Sequence, residues 1–333
     1  MGSFFGLDIG SAQVKVLQVA TGKEGLKVAH FGLANLTDVD PTVAVRQAIK
    51  ESGIKGSAEV NLALPESEIY TRIIKTSRLS ETELASSIKY EAEQYVPVSL
   101  EEVELYHQVL SDGDFGGEDK KTMRVLLIAV PKERLKKITD LMDKIGLIPK
   151  SLETELFSLK RVFADINKNQ ILLLFGHKTT DLMILNKGVP VFLHSMASGG
   201  LALTKNLSTE LDLTEDQAEQ YKRTYGLRED LLEGKIAKTL SPMIDQVVNQ
   251  INKAFVYVQQ LGLKKLPEQL IVAGGGAALP GLSSYLVKKL NVEVIVGNPF
   301  SRFIRDEEFK KIITNEGNSQ LSVVTGLAIK GLI

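Results

Sequence analysis

Three glycine-bearing segments carry the residue types that phosphate chemistry needs. The first is Asp8-Ile9-Gly10-Ser11-Ala12-Gln13-Val14-Lys15, a sharp turn between two apolar runs. Glycine lets a backbone approach an anion closely, and such a turn can aim successive amides at phosphate oxygens. Ser11 adds a hydroxyl donor and Lys15 a positive charge. Asp8, which cannot touch phosphate directly, suits a Mg²⁺ ion held through water. A plain hairpin uses the same turn residues, so this segment alone leaves both readings open.

The second segment, Met196-Ala197-Ser198-Gly199-Gly200, precedes a predicted helix from Leu201. A helix start behind paired glycines offers unpaired amides and a favourable dipole to an anion. The third, Ile271-Val272-Ala273-Gly274-Gly275-Gly276-Ala277, is a buried strand running into three glycines, which can lie flat against a base or sugar. It is not a P-loop, since no Gly-Lys-Ser/Thr follows, and Leu279 takes the third glycine's place in the dinucleotide fingerprint. Between them, Glu219 and Lys222 stand on one helix face, where they could reach a ribose together or form a surface ion pair.

Other chemistries are disfavoured. The chain has no cysteine, and its four histidines, His30, His107, His177 and His194, show no metal-ligand spacing. No Gly-x-Ser-x-Gly elbow occurs. Forty basic residues balance forty-one acidic ones with no basic block, so nucleic acid is not an expected partner. Asp8 and Lys15 interrupt the opening apolar run and no later stretch is long enough to span a bilayer, so direct membrane insertion is not expected.

The elements that hold these segments repeat. Short strands are predicted at Phe4–Ile9, Gln13–Ala20 and Leu26–Gly32, and again at Ile171–Phe175, Thr180–Leu185 and Val189–His194. Laying Gly10 on Gly176 puts Asp8 on Leu174, Ser11 on His177 and Lys15 on Asp181. A meander followed by helices in each half implies two related lobes. Further predicted elements are a helix at Val43–Glu51, strands at Val60–Leu64 and Ile69–Lys75, and a helix at Glu81–Tyr95 with Ser80 and Glu83 as its capping box. Strands at Val103–Leu110 and Met123–Val130 flank a Gly/Asp-rich loop, and a helix follows at Lys132–Ile145. The reading is an α/β chain of two lobes: 1–76 with 150–168 as the first, an inserted α+β subdomain at 77–149, and 169–333 as the second. The second lobe is helical over about 201–268, with a small-residue helix near Ser322–Leu332.

With Gly6-Leu7-Asp8-Ile9-Gly10-Ser11, Val14-Lys15, Tyr90-Glu91-Ala92-Glu93-Gln94-Tyr95-Val96-Pro97, Leu279-Pro280-Gly281-Leu282 and Gly297-Asn298-Pro299-Phe300, the chain resembles the actin-like (sugar kinase/Hsp70/actin) superfamily. Within it the chain is similar to the PilM family of type IV pilus assembly proteins. The resemblance implies a two-lobed fold of ribonuclease H-like halves and an ATP or ADP ligand, with Mg²⁺ held through Asp8. It implies a first phosphate loop at Asp8, Gly10, Ser11 and Lys15, a second phosphate site at Gly199 and Gly200, and an adenosine motif at Gly274, Gly275, Gly276 and Ala277. Glu219 and Lys222 fall where the superfamily holds ribose and base. It further implies a cytoplasmic scaffold at the inner membrane, bound near 77–149 to the N-terminal tail of a PilN-like membrane protein. The second phosphate loop departs from the family: Leu174 stands where Asp is usual, so hydrolysis is expected to be weak or absent and no catalytic residue is assigned. The rivals are an active actin-like ATPase or kinase, an FtsA-like filament protein, and a type II secretion platform homologue.

Overall fold

The computed structural model describes residues 4–111, 122–313 and 318–333. The first half runs β1 (Phe4–Ile9), β2 (Gln13–Gly22), β3 (Gly25–Asn35), α1 (Pro41–Ser52), β4 (Glu59–Leu64), β5 (Tyr70–Ser77), α2 (Glu81–Tyr95), β6 (Val103–Ser111), β7 (Thr122–Pro131), α3 (Lys132–Ile145), β8 (Ile148–Thr154) and α4 (Glu155–Phe163). The second runs β9 (Asn169–Phe175), β10 (Thr180–Asn186), β11 (Val189–Met196), α5 (Gly200–Leu211), α6 (Glu215–Tyr225), α7 (Lys235–Gln260), β12 (Gln269–Ala273), α8 (Leu282–Leu290), β13 (Glu293–Val296), α9 (Glu307–Ile312) and α10 (Ser322–Ala328). The Gly/Asp-rich loop read from the sequence, residues 112–121, lies outside the described residues.

Two five-stranded sheets share one topology, β3-β2-β1-β4-β8 and β11-β10-β9-β12-β13. In each, an antiparallel meander is followed by two strands parallel to its first. The tight turns correspond too: Gly10 N donates to Gln13 O at 3.0 Å and Gly176 N to Thr179 O at 2.9 Å. Side-chain alternation assigns the faces. Ile171, Leu173 and Phe175 pack with Leu203, Leu240, Ile244 and Leu286 from α5, α7 and α8. Leu172 and Leu174 face the other way, joining Leu156 and Leu159 of α4 and Val323 and Leu327 of α10. In the first sheet, Phe5 and Leu7 meet α1 and α3 through Val45, Ala48, Ile138 and Met142. The result is layered: α1 and α3, first sheet, the α4 and α10 pair, second sheet, and α5 to α8. Each fully buried leucine in these layers contributes roughly 1.5–3 kcal/mol.

Several boundaries differ from the sequence reading. The C-terminal part, placed with the second lobe, packs on the first sheet: Phe300, Phe303, Val324 and Ala328 share a core with Leu17, Val19 and Val28. The contact is close because Gly6 has no Cβ; one built there would lie 2.7 Å from Val324 O and Ala328 N. The subdomain's three-stranded sheet, β5-β7-β6, starts already at Tyr70, while α3 packs with the first lobe. Leu84, Ile88 and Ala92 of α2 pack with Val125, Leu127 and Ala129 to give this sheet its own core. Both outer strands, β5 and β6, also lean on β11 of the second half. The helix predicted from Leu201 is followed by a second, the two broken where Asp212 turns left-handed at φ 52° and Thr214 caps the next.

Candidate functional site

The two meander turns are the starting points. Asp8 and Lys15 stand opposite one another in the β1–β2 ladder, and Lys15 Nζ donates to Asp8 Oδ2 at 3.0 Å, both side chains being nearly buried. In the second meander the corresponding pair is Leu174 and Asp181. The apolar residue read in place of a carboxylate is therefore accompanied by a carboxylate across the ladder.

Asp181 is fully buried, and burial pushes its carboxyl up to about 6. Thr179 Oγ1 donates to its Oδ2 at 3.0 Å. Ser195, opposite it in the next ladder, brings a buried hydroxyl whose hydrogen bonding to the carboxyl opposes that rise, as Thr179 does. Two more carboxyls join from the first half. Glu66 sits in the short turn between β4 and β5, where burial and the charge of Asp181 push it up to about 7 against hydrogen bonds from Thr154, Leu156 and Thr71. Glu155, the first residue of α4, is likewise raised well above the ordinary glutamate range by burial and by the charges of Asp8, Asp181 and Glu66, with Lys15 opposing. Charge thus links Asp8 and Glu155 on one sheet's side to Asp181 on the other's.

Sequence reasoning gave a role only to Asp8 of these four groups and found no acid or base. Glu66, Glu155 and Asp181 come from three separate segments. One signal for Asp181 was available, since the overlay of the meanders puts it on Lys15. Glu155 lies on α4, in a stretch where no element was predicted.

The glycines are placed as follows. A Cβ on Gly199 would lie 2.7 Å from His177 O and 2.8 Å from Gly176 O, so this loop crosses directly over the second turn. The same closeness corrects one expectation about Gly199 and Gly200: the first α5 amides are not free. Gly200 N donates to Gly176 O at 3.0 Å and Leu201 N to His177 O at 2.8 Å. In the triple-glycine run, Gly274 has φ 87° and is tied to Ser319, its N donating to Ser319 O at 3.0 Å. Gly276 makes room for the Phe175 ring, which a Cβ would approach to 2.5 Å, and Ala277 is buried in the core. Gly275 alone of the three faces open space. Gly10 would bring a Cβ within 3.1 Å of Gln13 O, so it too is a close-packing glycine, and Ser11 beside it is exposed.

Glu219 and Lys222 adjoin as expected, but their polar atoms are committed. Lys222 Nζ donates to Gly200 O at 2.9 Å, Thr204 Oγ1 at 2.8 Å and Glu219 Oε2 at 2.6 Å. Glu219 also accepts from Thr204 Oγ1 and from Arg223 Nε. Burial alone would raise the Glu219 carboxyl; the bonds from Lys222, Thr204 and Arg223 outweigh it and hold it down to about 2. The pair anchors α6 to the first turn of α5. Leu227 N donates to Pro280 O at 2.7 Å, which seats the end of α6 against the loop after the glycine run.

The Gly176 turn, the Gly199 loop and Gly274–Gly276 thus form one continuous wall, with Asp8, Lys15 and Glu155 meeting it across Asp181. Among the described residues no group of three His, Cys, Asp or Glu side chains converges as direct metal ligands. Nor is any helix of the described residues long and apolar enough to cross a membrane.

The family model for type IV pilus assembly protein PilM matches residues 6–332. The chain belongs to that family. The structure of a PilM–PilN type IV pilus biogenesis complex superposes with a TM-score of 0.81 at 20% identity, covering 100% of this chain and 99% of that one. MreB5 of Spiroplasma citri bound to AMPPNP gives a TM-score of 0.53 at 13% identity, covering 99% and 96%. The fold is that of the actin-like ATPases. Among curated proteins, the cell division protein FtsA of Enterococcus faecalis is 27% identical, with 98% of this chain and 86% of FtsA aligned.

Proposed function

We propose that this chain is a cytoplasmic nucleotide-binding scaffold of the type IV pilus inner-membrane platform. It takes ATP or ADP in the crevice between Gly10 and Gly275 and holds the N-terminal cytoplasmic tail of a PilN-like membrane protein, through which it stays at the membrane. The observation that carries the nucleotide reading is the junction of Asp8, Glu155 and Asp181, where the two sheets' carboxyls influence one another. The buried carboxyls of Asp181 and Glu66, with open space over Gly275, are what a cation and a flat ring system would use. A Mg²⁺ ion there would neutralise phosphate charge, and Asp8, Glu155 and Asp181 would hold it through water. Lys15 and Asp8 must first exchange their mutual ion pair for phosphate and solvent.

The full-length likeness to the PilM–PilN complex supports the partner, and the subdomain's position supports coupling. Its strands β5 and β6 touch β11, so a change of angle between the sheets moves the subdomain as well. Calorimetry with a peptide of the PilN-like tail, with and without saturating ATP, tests this; equal affinity in both states removes the coupling. Slow hydrolysis is the second reading, favoured by the half-buried Glu155 and the buried Asp181, whose raised affinity for protons gives the crevice a candidate base. Leu174, buried where the family's carboxylate is usual, opposes it. Phosphate release above background that vanishes in Glu155→Gln would establish the second reading.

A further inference from the structure

A second concave site lies at the far end of the second sheet. The crevice sits at the C-terminal ends of β9 and β12, by Phe175 and Ala273. A cavity of about 480 Å³ opens beside their first residues, Asn169 and Gln269. At the ~3.3 Å rise per residue of a strand, the two sites are about 20 Å apart. The volume is that of a small-ligand pocket.

Its lining is positively charged in a chain whose net charge is only −1. Four lysines, Lys168, Lys187, Lys264 and Lys265, stand against Glu268 and Glu293. Lys265 pairs with Glu268 at 3.0 Å, and Glu293 accepts from Gln269 Nε2 at 2.8 Å. Lys168, Lys187 and Lys264 have no ion pair among the described residues. The walls are fixed: Asn169 donates through Nδ2 to Lys265 O at 2.6 Å and accepts from Lys187 N at 3.2 Å, joining two loops. Below, Gln170 Nε2 donates to Gln269 Oε1 at 2.9 Å, and Leu263 is buried. Unbalanced ammonium groups around one concavity focus a field that favours anions. The lining holds lysine and no arginine. Lysine ammonium groups bind phosphate as point charges, without needing one fixed geometry.

We infer that this cavity is a phosphate-binding site, separate from the nucleotide crevice, with Lys168, Lys187 and Lys264 as its cationic donors. The phosphate can belong to a soluble ligand or to a lipid headgroup, and one experiment separates them. Inorganic pyrophosphate is titrated by calorimetry at low salt into the whole chain, into Lys168→Glu/Lys187→Glu/Lys264→Glu, and into Gly275→Leu. In parallel, flotation is run with phosphatidylglycerol vesicles. Affinity for pyrophosphate at least tenfold weaker in the triple variant and unchanged in Gly275→Leu supports a soluble ligand. Vesicle capture that the triple variant loses, with no pyrophosphate binding, supports a headgroup. No binding in either arm, or binding that the triple variant retains, overturns the inference. Loss of ATP binding in Gly275→Leu bears only on the crevice.

Discussion

Asp181→Asn should make the empty protein more stable at neutral pH, and the size follows from the site. Burial moves the carboxyl from 3.8 to about 6, so the ionised folded state carries a cost of about 3 kcal/mol. The sign is that of an acid held above its unfolded value. Well below pH 4 both states are protonated and the cost is absent. It grows as the pH rises from there through about 6 and is constant above. Asparagine keeps the shape and can keep the Thr179 hydrogen bond while removing the ionisation. Urea unfolding of both proteins at pH 4 and pH 8, free of nucleotide and divalent cation, reads the difference. The variant should gain up to about 3 kcal/mol at pH 8 and only about 0.6 kcal/mol at pH 4, where the unfolded carboxyl is already partly ionised. A variant as stable as wild type at pH 8, or less stable, refutes the claim that this buried carboxylate is held charged at a cost for binding.

Glu153 should behave in the opposite sense. It is buried yet held below the usual carboxylate range, because salt-linked hydrogen bonds from Arg161 and Lys330 and one from Ser158 outweigh its burial. Glu153→Gln should cost about 2–4 kcal/mol by chemical denaturation, since it strands two cations where α10 meets α4. Its contribution is present above the ordinary glutamate value of 4.5 and is lost as pH falls through the lower folded value, so the variant should lack that part of the acid unfolding profile. Gly276→Val should destabilise by at least about 2 kcal/mol in the same assay, because a Cβ there meets the Phe175 ring. Lys222→Met should lower the melting temperature and leave nucleotide affinity within about threefold, since its ammonium is already bound by Gly200, Thr204 and Glu219.

The repeated meander was legible because strand alternation and the turns at Gly10 and Gly176 fix its register. The α2 helix was legible at both ends: Ser80 and Glu83 form the reciprocal cap, and the helix spans Glu81–Tyr95 as its signals indicate. What escaped depends on contacts distant in sequence. Strand β8 is an edge strand carrying Pro149, which breaks the usual strand signature yet is tolerated where a ladder has a free side. Missing β8 and α4 hid Glu155, and no local pattern ties Glu66 to Asp181. The glycine run shows how one motif divides its work. Gly274 and Gly276 serve the protein's own packing against Phe175, and only Gly275 is open to a ligand. Glu219 and Lys222 were recognised as neighbours, but their saturation by Thr204, Gly200 and Arg223 is a tertiary fact.

The crevice between Gly10 and Gly275 is tested most directly by calorimetric titration of Mg-ATP into the whole chain and into Gly275→Leu. Leucine there enters open space, so folding should be untouched by melting temperature while nucleotide affinity falls at least tenfold. Wild-type protein that takes up no nucleotide, or a Gly275→Leu variant that binds as tightly as wild type, contradicts the account.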